Sequence, residues 1–220
     1  MAIIRKDGSY TPLAEDILAR WRQVPPAVAG DNMNRDRSMS SRVSPVAPGQ
    51  PITGHARTVA VMAGDNSAIH AMLPLMKPGE IMVIAARGSG DVAIIGEIVV
   101  ECAKYQKCGG IVIDGAVRDI SALRTLGVPV YATGATPRGP HKGFGGEIDV
   151  PISCGDVVVA PGDLVLADDD GVTIVPRAMC DEILPLGEAQ VRKEADVIAK
   201  VKTGVTTAEV QGISVPEVSG

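Results

Sequence analysis

Four short apolar runs, "RTVAVM" (Arg57–Met62), "IMVIAA" (Ile81–Ala86), "GIVID" (Gly110–Asp114) and "VPVYAT" (Val128–Thr133), recur with helix-length polar or amphipathic stretches between them. This alternation constrains the chain more than any other feature. Strands that are apolar on both faces need cover on both faces, and parallel pairing with helical crossovers supplies it. The middle of the chain is therefore expected to be α/β, a mostly parallel central sheet flanked by helices.

The rest of the chain reads differently. Ala14–Arg22 has helical amphipathicity and stops at Pro25-Pro26. "GDNMNRDRSMSSRVSPVAPGQPITG" is polar and rich in Gly, Pro and Ser, and reads as a long loop or arm. Asp65 is placed to cap a helix running to Met76, a second helix begins near Gly96, and a short one covers Asp119 to Leu126. "IDVPISCGDVVVAPGDLVLADDDGVTIVP" carries short β runs separated by Cys-Gly-Asp, Pro-Gly-Asp and Asp-Gly turns, which suggests a small β-barrel-like unit. A charged helix is expected over 177–201, and the tail after Gly204 is expected to be loosely held. At 220 residues the chain has room for one sizeable core. The expected organisation is one domain, 1–220, with an N-terminal helix and arm (1–50), an α/β core (51–176) and a C-terminal helix and tail (177–220).

Only 2% of the residues are aromatic and the net charge is −5, which gives neither stacking platforms nor a basic footprint for nucleic acid. No apolar stretch reaches the roughly 20 residues of a membrane span. The N-terminus contains acids and lacks the apolar core of a signal peptide. Cys102, Cys108, Cys154 and Cys180 form no CxxC pair and are expected to be reduced thiols in a cytoplasmic protein.

Candidate chemistry lies in two loops that leave predicted strands, the usual place for ligands in open parallel sheets. "RGSGDVAIIGEIV" opens a helix at Gly96, where an anion could approach the amides of Glu97, Ile98 and Val99. "DGAVRD" supplies Arg118 and Asp119, and Glu97 adds a second carboxylate. Together they could hold a small keto acid beside a hard cation. Arg118-Asp119 reads equally as a surface arginine next to a helix N-cap. Asp168, Asp169 and Asp170 precede Gly171 and read first as hairpin chemistry. His55, His70 and His141 show no zinc-ligand spacing, and there is no GxSxG, P-loop or complete GxGxxG. Lys104 and Lys107 fall toward the far end of a helix, away from both loops, which disfavours a lysine Schiff base.

"GEIV" (Gly96–Val99), "GIVIDGAVRD" (Gly110–Asp119), "GVPVYATGATPRG" (Gly127–Gly139) and "PGDLVLADDDGVTIVP" (Pro161–Pro176) together resemble the RraA-like family. That family includes the 4-hydroxy-4-methyl-2-oxoglutarate/4-carboxy-4-hydroxy-2-oxoadipate aldolases, the regulator of ribonuclease E activity, and proteins misnamed as demethylmenaquinone methyltransferases. The resemblance spans residues 51–200 and implies an RraA-like, swivelling-domain-like fold. It implies a pyruvate aldolase or lyase with oxaloacetate decarboxylase side activity, using Mg²⁺ or Mn²⁺ and assembled as a homotrimer or hexamer. Its partner would be a small keto-acid substrate. By the resemblance, the amides of Gly96, Glu97, Ile98 and Val99 bind the pyruvyl carboxylate and Arg118 contacts the keto oxygen. Asp119 would ligate the metal and Glu97 would hold a water on it. Glu194, in the C-terminal helix of a neighbouring subunit, would complete the site. "GDNMNRDRSMSSRV" departs from the family's usual pattern. The same resemblance admits a second role, a non-catalytic regulator of another enzyme.

Overall fold

The computed structural model describes residues 2–216. In chain order the elements are β1 (Ile3–Arg5), α1 (Glu15–Trp21), α2 (Pro26–Asp31), β2 (Ser44–Pro45), β3 (Ile52–Val61), α3 (Ser67–Met72), β4 (Ile81–Ala85), β5 (Ala93–Ile95), α4 (Glu97–Tyr105), β6 (Gly110–Ile113), β7 (Ala116–Val117), α5 (Ile120–Leu123), β8 (Val130–Ala132) and β9 (Gly134–Ala135). They are followed by β10 (Gly146–Ile148), β11 (Ile152–Cys154), β12 (Val157–Val159), β13 (Leu164–Asp168), β14 (Gly171–Val175), α6 (Cys180–Val201) and α7 (Thr207–Gln211).

The four apolar runs become β3, β4, β6 and β8, adjacent and parallel at the centre of the main sheet. Every residue of β4 and β6 is buried. Met82, Ile84, Ile111 and Ile113 face one way, into a core closed by α3, α4 and α5. Ile81, Val83, Ala85 and Val112 face the other, against β11 to β14. The two-residue alternation of a strand thus feeds two cores at once, as the continuous apolar runs require.

The sheet's margins are antiparallel. β10 pairs with the second half of β3, and β2 pairs with β8. The expected C-terminal β unit is two hairpins, β11–β12 and β13–β14. β13 also pairs antiparallel with the first half of β3, Leu164 opposite His55 through Ala167 opposite Ile52. The unit is thereby joined to the central sheet through a single ten-residue strand. A third core lies over the hairpin's outer side, where Trp21, Val28, Leu164, Leu166, Val175, Cys180 and Ile183 bring α1, α2 and α6 together.

Three sequence expectations change. The proline pair that ends α1 also starts α2, because proline's fixed φ and missing N–H suit the first position of a helix. The arm therefore holds a helix and the edge strand β2, not only loop. The helix after Asp65 runs from Ser67 to Met72 and tightens into a 3-10 turn at Leu73–Leu75 around Pro74. The tail beyond Gly204 contains α7, closed by a capping box in which Thr206 and Glu209 exchange hydrogen bonds. Residues 217–220 lie outside the described residues. The four cysteines are free thiols. Among the described residues no helix is long and apolar enough to cross a membrane.

The N-terminal segment is tied to the sheet by buried polar groups. Arg57 pairs with Asp149 at 2.9 Å and Glu80 at 3.4 Å. Arg5 reaches the same Asp149 at 3.0 Å, and the Tyr10 hydroxyl donates to Glu80. His55, only 5% exposed, bonds the Gly162 carbonyl through Nδ1 at 2.8 Å. Its Nε2 accepts the Leu13 amide at 2.9 Å, which assigns the neutral Nδ1–H tautomer. Burial pushes the His55 pKa down. A histidine held neutral contributes stability that is complete above its unfolded value near 6.5 and is lost as pH falls below it. Urea midpoints at pH 7.5 and 5.5 should therefore separate for the wild type. The His55→Gln variant should lose visibly less between the two; an equal loss would remove His55 as the cause.

Candidate active site

A three-stranded parallel sheet, β5–β7–β9, sits beyond the carboxyl ends of the central strands. Its strands are two or three residues long, and each delivers one piece of the site. Gly96 and α4 follow β5. Arg118 and Asp119 follow β7. Thr136 and Pro137 follow β9. Backbone bonds lock the three ends together: Arg118 N–H donates to Ile95 O at 3.0 Å, and Thr136 N–H to Val117 O at 3.1 Å. Arg118, Asp119, Ile120, Ala135, Thr136 and Pro137 enclose a depression of about 360 Å³.

Asp119 occupies the N-cap position of α5 but makes no side-chain cap to it. Its Oδ2 instead accepts the Glu97 amide, at 3.0 Å, across at the start of α4. The cap reading is correct in kind but applies to a neighbouring helix, 22 residues earlier in the chain. The positive end of α4 favours a carboxylate there. Asp119 holds the left-handed conformation, φ 57° and ψ 38°, which aspartate adopts more readily than most residues. Arg118 Nε lies 3.5 Å from the same Oδ2, and the two side chains are 40% and 39% exposed.

Gly96 is required by space, since its own backbone is extended. A Cβ there would lie 2.4 Å from Asp119 Oδ2 and 2.8 Å from Arg118 Cγ. At the arginine's other end a Cβ on Gly139 would come within 2.7 Å of Nη1, the tip of a flexible side chain that could shift aside. The arginine and aspartate therefore lie against bare backbone and line the depression.

The sequence expected four amides, Gly96 to Val99, to form an anion cradle. Two already have protein acceptors: Glu97 N–H donates to Asp119, and Val99 N–H to the Gly96 carbonyl at 3.1 Å. The Glu97 side chain is exposed, Ile98 is 76% exposed, and the Val99 side chain is buried in the core. Gly96, Glu97, Arg118 and Asp119 are thus brought together. Glu194 is not brought to them within the chain. It sits on the exposed second half of α6, accepts from Gln190 at 2.9 Å, and belongs to the helix that packs over Trp21 and Leu164.

The triple acid is turn chemistry, as its context suggested. Asp168 accepts from Asp170 N–H at 3.0 Å, and Asp169 from Gly49 N–H at 2.7 Å. Asp114 is structural as well. Its carboxylate accepts the Ala86 amide, joining the ends of β4 and β6, and burial raises its pKa. Sequence reasoning did not find Ile120, in the short helix α5, nor Ala135, Thr136 and Pro137, because β9 is too short to leave a period-two signal.

Among the described residues no three His, Cys, Asp or Glu side chains cluster as a metal cage. Mg²⁺-type sites do not need one. They take one or two protein carboxylates and fill the remaining positions with water and substrate oxygens. Asp119, with Oδ1 uncommitted, and the adjacent Glu97 fit that pattern.

The family described as RraA-like, Aldolase/RraA, matches residues 27–174. A Halalkalibacterium halodurans protein named "Putative 4-hydroxy-4-methyl-2-oxoglutarate aldolase" is 36% identical over 181 residues, 82% of this chain and 85% of that one. The solved structure of Streptomyces coelicolor RraAS2, described as an unusual member of the RNase ES inhibitor RraA family, superposes with a TM-score of 0.75 at 30% identity. That match covers 87% of this chain and all of the other. RraA from Thermus thermophilis, described as an RNA-processing inhibitor, gives a TM-score of 0.62 at 29% identity over 67% of this chain and 89% of that chain.

Proposed function

This chain belongs to the RraA-like family, and from that premise we propose that it is a divalent-metal-dependent carbon–carbon lyase that cleaves a 4-hydroxy-2-keto diacid to pyruvate and a second keto acid. The observation that carries this reading is the convergence of Arg118 and Asp119 on the first turn of α4, with Asp119 Oδ2 3.0 Å from the Glu97 amide. A rigid cation, a carboxylate with an uncommitted oxygen and a helix N-terminus meet in one depression. That set matches a 2-keto acid carrying one negative charge at C1 and gaining another at the keto oxygen.

In the reaction the C4 hydroxyl gives up its proton to a water held beside Glu97 as the C3–C4 bond breaks. C4 becomes the carbonyl of the released keto acid, and the bonding pair moves to C3 as the pyruvate enolate. Protonation of C3 completes pyruvate. Arg118 donates to the keto oxygen and strengthens that bond as the oxygen becomes an enolate, so the stabilisation is greatest where the charge develops. The amides at the start of α4 orient the C1 carboxylate. Glu97, exposed beside this cleft, poises the water that returns the proton to C3. Bound at Asp119, Mg²⁺ or Mn²⁺ would polarise the keto group as a Lewis acid. No lysine lines the depression, which favours this chemistry over a Schiff base.

Glu194 enters only if a second copy supplies it. We place it across a subunit boundary in a homotrimer or a hexamer of two trimers. The half of α6 beyond Val191 is exposed on almost every side, Ile198 and Val201 included. A helix that projects past the body of its own chain with apolar side chains uncovered is suited to contact a neighbour.

Oxaloacetate offers the direct test, because its decarboxylation passes through the same pyruvate enolate. The purified protein should release pyruvate from oxaloacetate, and from 4-hydroxy-4-methyl-2-oxoglutarate, with Mg²⁺, and should stop when EDTA is added. Absence of turnover on both acids with either metal would instead favour a regulator, in line with the T. thermophilis relative described as an RNA-processing inhibitor.

A further inference from the structure

A second depression, of about 240 Å³, adjoins the first and shares Ile120 and Ala135 with it as a common wall. Its far side is the N-terminal arm, Ser44 to Val46, held there by β2 pairing with β8 and by Val46 N–H donating to Val130 O at 2.8 Å. Its walls are otherwise apolar or neutral, and Arg124 is the one charged residue among them. In a chain of net charge −5, a small recess whose only charge is positive selects for an anion.

Arg124 is also available. Its Nε donates to the Val46 carbonyl at 3.2 Å, which fixes the guanidinium against the arm. Among the described residues no carboxylate lies within ion-pair distance of it, and neither Nη makes a hydrogen bond to protein. Arg118, by contrast, is already beside Asp119. Ile120 and Arg124 are four residues apart, so their side chains lie on one face about 5–6 Å from each other. A molecule resting on Ile120 therefore touches the Arg118 site at one end and Arg124 at the other.

We propose that Arg124 binds the distal carboxylate of the substrate and so selects keto acids that carry two carboxylates over those that carry one. This rests on the reading of the Arg118 depression as a keto-acid site and adds the residue that sets substrate class. Arg124 is exposed, and its planar guanidinium matches a carboxylate with two parallel donors. The carboxylate released on the second keto acid would be the one held at Arg124, while pyruvate stays at Arg118.

The test is calorimetric titration of the intact protein, in Mg²⁺, with pyruvate and with 2-oxoglutarate. The latter is a two-carboxylate keto acid without the C4 hydroxyl, so it cannot be cleaved. Arg124→Gln is the first variant, since its amide can still donate to Val46 O; Arg124→Met keeps the stem and gives the same readout should the glutamine variant lose its fold. The expected result is a 2-oxoglutarate Kd raised about 10- to 100-fold, the equivalent of a lost charge-assisted bond, with the pyruvate Kd within about twofold of wild type. Unchanged 2-oxoglutarate affinity, or an equal loss for pyruvate, would overturn the role of Arg124. If the wild type bound neither acid, the keto-acid site itself would fall and the proposal with it.

Discussion

Replacing Asp119 by alanine is expected to reduce metal-dependent pyruvate release by about 10³-fold or more, since in the proposed site it removes the metal's protein ligand and with it several kcal/mol of transition-state stabilisation. The structure adds a second consequence. Asp119 also caps α4 through the Glu97 amide and holds a left-handed backbone. Alanine would forfeit a cap worth about 0.5–2 kcal/mol and would incur roughly 1–2 kcal/mol for that conformation. A lower melting temperature is therefore expected together with the loss of activity. Asp119→Asn separates the two effects. Asparagine tolerates the left-handed region and can still accept from Glu97, but carries no charge for a metal. It should melt near the wild-type temperature and remain inactive. Near-normal turnover in the asparagine variant would reduce Asp119 to a cap. The alanine variant also tests the shared site. If Glu194 of one copy serves Asp119 of another, co-expressing Asp119→Ala with Glu194→Ala should restore part of the activity that each lacks alone.

The second large effect is expected at Arg118. Arg118→Lys keeps the charge but loses the planar fork, and a lysine ammonium cannot hold a directed donor on the oxygen as it becomes an enolate. kcat should fall about 10²- to 10³-fold, the usual cost of one lost donor to a developing oxyanion. Pyruvate affinity should fall far less, because the ground-state ketone carries little charge. The side chain is 40% exposed and lies over two glycines, so the fold should not suffer. A variant with near-full kcat would remove Arg118 from the chemistry, and one with equal losses in kcat/KM and binding would make it an anchor only.

The sequence alone places Gly96, Glu97, Arg118 and Asp119 in loops that leave predicted strands. The strand "GIVID" declares itself because consecutive apolar residues can be buried on both faces only inside a sheet. The loop leaving that strand must then emerge at the sheet's carboxyl edge. Asp114-Gly115, at the start of the same loop, serves the sheet instead. Asp114 ties two strand ends, and Gly115 makes room for Ala86, whose Cβ would lie 2.7 Å from a side chain there. Nothing in the local pattern distinguishes a carboxylate that joins strands from one that faces a ligand.

The sequence by itself determined the parallel core, its helical cover and the chain positions from which a site could be built, because the two- and 3.6-residue periods are local and survive without a fold. Only the tertiary structure decided how those positions meet. β5, β7 and β9 are two or three residues long, too short to print a period, yet their pairing brings Gly96, Arg118 and Thr136 to one edge. Asp119 caps a helix that starts 22 residues earlier, and Arg124 borders a recess completed by an arm 78 residues away. Contacts across such separations depend on which strands lie side by side, and strand order is fixed by packing the whole core. Glu194 stands beyond even that, on a helix half that the body of this chain leaves uncovered.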